Sequence, residues 1–317
     1  MTAEQGIRLN STVRAEINLP CPATGEAYRD LVSSWFTRAV RALAGPLGDT
    51  FHEDLDLTEQ ALAHGGTGPC GAPGTLWASL RYDTEIRGRW KEVETHWSPE
   101  NHHTFQRELG NMPVQAGIQL ALLDGEGQPG EPWLEVFVIR ENETPDVVSL
   151  VAVRTAEEFE NHTTARPAQT RWEELLREQL AEAETSHIIP LYAAICDDAE
   201  YISGRTALED GLGLLLEDTL PELESTLRGY SWLTVCSPGV TAALGGPQAL
   251  AAADDTFAEV TPLPGGGVWL KATEDIHSYT DARVRAVFRA LAPVLPPGKP
   301  VPSLAAEVRR LVFEAPE

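Results

Sequence analysis

Three histidines and a glutamate crowd the stretch HWSPENHH: His96, Glu100, His102 and His103. Imidazole and carboxylate groups hold metals and carry protons near neutral pH, so a metal or acid/base site is the first chemistry to weigh. Spacing argues against it. Adjacent His102 and His103 on a helix point about 100° apart, and no i, i+4 histidine pair puts two rings on one face. Ser98-Pro99 reads instead as the capped start of a surface helix. The carboxylate pairs Asp197-Asp198, Glu209-Asp210 and Glu217-Asp218 do not follow the ligand rhythm of a calcium loop. LPGGGVWL lacks the strand, second glycine pattern and lysine of a phosphate cradle, and reads as a hairpin turn. The chain also carries no GxSxG, HExxH or CxxC. No catalytic residue, metal or cofactor is expected.

Carboxylates are nevertheless the chemistry this chain has in excess. Its 317 residues carry a formal charge of −24, which disfavours nucleic acid and anionic membrane surfaces as partners and favours basic proteins. Residues 157 to 224 hold 17 carboxylates against four bases, a net −13. Within them, LEDGLGLLLEDTLPELE (208 to 224) reads as a helix whose leucines, Leu208, Leu212, Leu215, Leu216 and Leu220, face the core while Asp210, Glu217 and Asp218 face water. Pro221 lacks an amide and breaks or kinks it. A solvated face is the ordinary reading of such a run; the functional one is electrostatic steering of a basic partner.

The elements that position these groups follow from periodicity. Alternation in IRLNSTVRAEINL gives a first strand with Val13, Ala15 and Ile17 on one face. EAYRDLVSSWFTRAVRAL is an amphipathic helix ended by Gly45-Pro46. After LWASLRYDTEI and the short Ser-Pro helix, VQAGIQLALL, PWLEVFVIR and DVVSLVAVR read as strands, and turn-rich DGEGQPGEP and ENETPD join them as antiparallel hairpins. The polar run ENHTTARPAQT at 160 to 170 marks a boundary. Beyond it come an acidic helix, a buried strand in HIIPLYAAIC, the strand SWLTVCS with a helix opened by Ser237-Pro238, a hairpin across Pro264 to Gly267, and the helix DARVRAVFRALAPVL. Two Ser-Pro helices ending at Leu-Gly ahead of paired strands hint at a duplication. The expected fold is therefore α+β: two related lobes, 1–160 and 161–317, each a mostly antiparallel sheet packed with helices. Four scattered cysteines, Cys21, Cys70, Cys196 and Cys236, form no disulfide framework, and no basic leader or long apolar run signals export or a membrane span, so a cytoplasmic protein is expected.

Between residues 230 and 298, YSWLTVCSPGVTAALGGPQAL, then FAEVTPLPGGGVWLKAT, then an arginine-rich helix and PVLPPGKP, the chain resembles the C-terminal part of the type VI immunity-like family of bacterial polymorphic-toxin systems. The resemblance implies a cytoplasmic α+β protein that binds and blocks a cognate toxin and has no chemistry of its own. No family site transfers residue by residue, because such proteins vary the binding surface. On the charge pattern, the partner surface is assigned to Asp197, Asp198, Glu200, Asp210, Glu217 and Asp218, with Trp172 and Tyr201 as aromatic anchors and a basic toxin domain as partner. The alternative is a small-molecule enzyme of bacterial specialised metabolism, with a pocket between the lobes and His96, His102 or His103 as proton carrier.

Overall fold

Strand β1 (Thr12–Pro20) carries the alternation that the sequence displays: Val13, Ala15, Ile17 and Leu19 have no exposed surface and lie in the main core. Arg14, Glu16 and Asn18 point to the opposite face and are buried as well. In the computed structural model the described residues are 12–48, 51, 55–62, 68–86, 89–141, 144–160, 162–197, 204–253 and 256–299.

After β1 the chain forms α1 (Gly25–Leu43), whose Thr24 hydroxyl caps the Ala27 amide and whose buried face carries Leu31, Val32, Trp35, Phe36, Ala39 and Leu43. A hairpin of β2 (Leu76–Ile86) and β3 (Arg89–His96) precedes α2 (Pro99–Leu109), capped by Ser98 as its Ser-Pro start foretells. Then come β4 (Gln115–Leu123), β5 (Pro129–Ile139) and β6 (Val147–Thr155). The second half supplies α3 (His162–Thr185), β7 (Tyr192–Cys196), two short helices α4 (Ala207–Leu212) and α5 (Leu216–Thr219), and β8 (Leu233–Cys236). Helices α6 (Pro238–Ala243) and α7 (Gly246–Ala251), strands β9 (Glu259–Pro262) and β10 (Val268–Lys271), and α8 (Asp281–Leu291) complete it.

All the described strands join one sheet in the order β3-β2-β4-β5-β6-β1-β7-β8-β10-β9, with every pairing among them antiparallel. The α+β class and the antiparallel pairing are as expected. Strands from before and after residue 160 form adjacent blocks of that single sheet, joined where β1 pairs with β7 from Arg14–Cys196 to Asn18–Tyr192. Helix α1 packs on α2, α3, β5 and β6, and α2 packs on β2. No described helix is long and apolar enough to cross a membrane.

Three local differences from the sequence expectation have physical causes. Strand β3, RWKEVETH, was not anticipated; it is the sheet's outer edge, and exposed Arg89, Lys91, Glu92 and Glu94 give it the charge that keeps an open edge from pairing with other chains. The acidic helix expected from Thr170 starts earlier, at His162, within the polar run at 160 to 170, with Pro167 accommodated inside it. The single helix expected over 208 to 220 is two. Gly213 adopts φ 69°, the left-handed C-terminal position that glycine tolerates best, and ends α4; Leu214 and Leu215 cross to α5. The break turns Leu215 outward, where it is 49% exposed.

Candidate functional site

The acidic segment is fastened to the sheet by a buried ionic network. Glu209 closes a capping box at the start of α4, taking the Thr206 amide at 2.6 Å. The same carboxylate is held by Arg228, with Nε to Oε1 at 2.9 Å and Nη2 to Oε2 at 2.8 Å, and by the Thr219 hydroxyl of α5. Arg228 reaches on to β1, where Nη1 meets Glu16 Oε1 at 2.5 Å and Asn18 Oδ1 at 3.1 Å, and Nη2 donates to the Gly204 carbonyl at 2.8 Å. Arg14 holds the other Glu16 oxygen at 2.6 Å, and Asn18 bridges Glu16 and Ser149 at 2.9 and 2.8 Å.

Two arginines and two glutamates thus neutralise one another with no more than 3% of any residue exposed. Burial pushes the Glu16 carboxyl up, but Arg14, Arg228 and the Asn18 amide outweigh it and hold the group below its ordinary value. Burial would lower Arg228, and Glu16 and Glu209 more than offset that. The neighbouring Tyr192 phenol is driven well above its normal range, by burial first and then by Glu16. Such a network is worth little against an apolar core of the same shape, yet it fixes where α4 and α5 sit.

With that anchor in place, the expected partner residues separate. Glu217 and Asp218 are exposed on α5. Asp218 accepts the Leu215 amide at 2.9 Å and so caps the helix it sits on. Asp210 is instead clasped by Arg205 at 3.0 Å, Asp197 is 5% exposed, and Trp172 is 1% exposed among the core residues. For these three the protein's own arginine and its own packing supply the surroundings. Asp198, Glu200 and Tyr201 lie outside the described residues.

Much of the acid excess is similarly answered within the fold. Glu178 and Glu182 on α3 meet Arg38, Glu158 meets Arg154 and Arg171, and Glu173 meets Lys271. Among the exposed acids to which no arginine or lysine of the described residues bridges, which include the scattered Glu26, Glu100, Glu131 and Glu174, four fall in one short run: Glu217, Asp218, Glu222 and Glu224. Exposed Leu215 and Pro221 lie among them in sequence. Of this network only Thr206-Ala-Leu-Glu209, a capping box, is legible in the sequence; its partner Arg228 lies 212 residues from Glu16.

The histidines divide as their spacing implies. His103 is exposed, while His102 stacks on Trp97 with ring centres 4.3 Å apart and meets the Gln106 amide at 3.3 Å. The carbonyl of His96 accepts from the Asn101 side chain at 3.0 Å. Among the described residues no group of three His, Cys, Asp or Glu is placed to hold a metal ion. His102 lines a cavity of ≈ 640 Å³ bounded chiefly by α1 and α2, with Glu158 and Arg171 also in its wall. Both Glu158 oxygens are engaged, by Arg154 at 3.0 Å and Arg171 at 2.6 Å.

The chain matches no protein-family model and no curated protein. Among solved structures it is similar to the Pseudomonas aeruginosa T6SS protein PA0821, with a TM-score of 0.52 and 16% identity over 90% of this chain and 77% of that one. The two chains share a fold. At this identity the likeness extends to architecture and not to a site, since one fold hosts many functions.

Proposed function

We propose that the protein is a toxin-neutralising immunity protein of a type VI secretion context, acting in the cytoplasm by binding a basic toxin domain. One observation carries the reading: Glu217, Asp218, Glu222 and Glu224 form an exposed run to which no arginine or lysine of the described residues bridges, close in sequence to an outward Leu215, on a segment pinned to the sheet through Glu209 and Arg228. The fold shared with a T6SS protein supports the setting, and the charge pattern supports the choice of partner.

Uncompensated charge on a fixed scaffold steers a basic partner and raises its encounter rate roughly 10- to 1,000-fold at low salt. Fixing the segment beforehand removes part of the ordering cost of association. Leu215 supplies the apolar contact that the carboxylates lack. Neutralisation then needs occlusion of the toxin's working surface and no chemistry from this chain.

The test is co-expression with the product of the neighbouring gene, followed by binding kinetics. Glu217→Lys with Glu224→Lys is the informative variant, because replacing Asp218 would also remove a helix cap. The expected result is loss of rescue, an association rate at least tenfold slower at low salt, and an unchanged unfolding midpoint. Intact rescue with unaltered kinetics in a folded double variant refutes this surface, and failure of the wild-type chain to bind any neighbouring gene product refutes the function.

A further inference from the structure

We propose that the cavity between α1 and α2 is a binding site for a small aromatic anion, independent of the toxin-binding surface. Its volume of ≈ 640 Å³ falls in the range that encloses a small organic molecule. The wall is dominated by rings: Phe36 meets Phe105 edge-on at 5.4 Å, and Trp97 lies against Phe51 at 4.4 Å and His102 at 4.3 Å. Flat apolar ligands match such walls through offset and edge-to-face contacts.

The sign of the charge follows from which polar groups are still available. Glu158, the carboxylate in the lining, has one oxygen on Arg154 and the other on Arg171, so its charge is already answered within the protein and offers a cationic ligand little. Arg41 lies in the lining from α1 with its side chain 70% exposed. Its ion pair is a long 3.4 Å contact to a Glu178 oxygen that Arg38 already holds at 3.1 Å. A carboxylate or sulfonate on an aromatic body would take Arg41 with its charge and the rings with its body. The Ser33 hydroxyl, on the same side of α1 as Arg41, adds a donor to the lining, whereas Thr37 already donates its hydroxyl to the Ser33 carbonyl at 2.9 Å.

The full chain is titrated calorimetrically with 1-anilinonaphthalene-8-sulfonate and with N-phenyl-1-naphthylamine, which has the same rings without the sulfonate. One sulfonate probe per chain is expected, bound at least fivefold more tightly than the neutral one. Arg41→Gln should weaken the sulfonate at least fivefold and leave the neutral probe unchanged. Thr37→Trp, at an exposed helix position, should block both at least tenfold while the unfolding midpoint stays put. Equal affinity for the two probes, several weak sites indifferent to Thr37→Trp, or tighter binding of benzyltrimethylammonium than of the sulfonate would each overturn the assignment.

Discussion

Replacing Arg228 by methionine tests the claim that the acidic segment is held by buried charge. The change removes five contacts at once: two to Glu209, and one each to Glu16, Asn18 and the Gly204 carbonyl. Glu16 keeps Arg14 and Asn18, but Glu209 is left with the Thr206 amide and the Thr219 hydroxyl and no cation. A unit charge pair about 4 Å apart at an effective dielectric of about 20 is worth about 4 kcal/mol. Breaking a buried pair from one side costs about 3–5 kcal/mol in practice, so the two routes agree.

Urea unfolding at pH 7 should show that loss, and Arg228→Met combined with Glu209→Gln should recover about 1–3 kcal/mol of it, because the stranded charge is gone. Acid should narrow the gap. Glu16 is held below its ordinary value of 4.5 in the wild type, so its contribution is complete above that value and fades as pH falls through the lower folded value. The variant has less of that contribution to lose. A penalty under about 1 kcal/mol, or strict additivity in the double variant, would refute the network as the anchor.

Other outcomes follow from the same contacts. Trp172→Ala should destabilise the fold by about 3–5 kcal/mol, measured by denaturant midpoint, since the indole lies in the core and not at an interface. Alkali should weaken the protein as pH rises past about 9 to 10. Burial holds Tyr28 and Tyr192 above their ordinary range and pushes Cys236 up to about 12, so the unfolded chain releases protons first. A urea midpoint that stays flat to about pH 11 would contradict this.

Legibility in the sequence tracked the range of the interactions involved. The core face of β1, the span of α1, both Ser-Pro caps, the hairpin across Pro264 to Gly267 and the last helix are set by periodicity and turn chemistry within a few residues, and all were readable. Arg14, Glu16 and Asn18 were not, because a polar face in alternation looks the same whether water or a distant arginine satisfies it. Charge counting located the acidic stretch but could not divide it. Glu217 and Glu209 are equivalent in composition, and only tertiary contacts put one in solvent and the other under Arg228. Gly213 carried a stop signal that the leucine periodicity overrode in the reading.

The placement of β1 between β6 and β7 has a bearing on biosynthesis. The first described strand to leave the ribosome can dock on β6 once the chain through Thr155 has emerged, but its other side stays open until β7 and Arg228 emerge. Meanwhile that open margin shows Arg14, Glu16 and Asn18, a charged and polar row that discourages stray strand pairing between nascent chains. The same residues that later disappear into the centre of the finished sheet therefore serve first as its temporary guard.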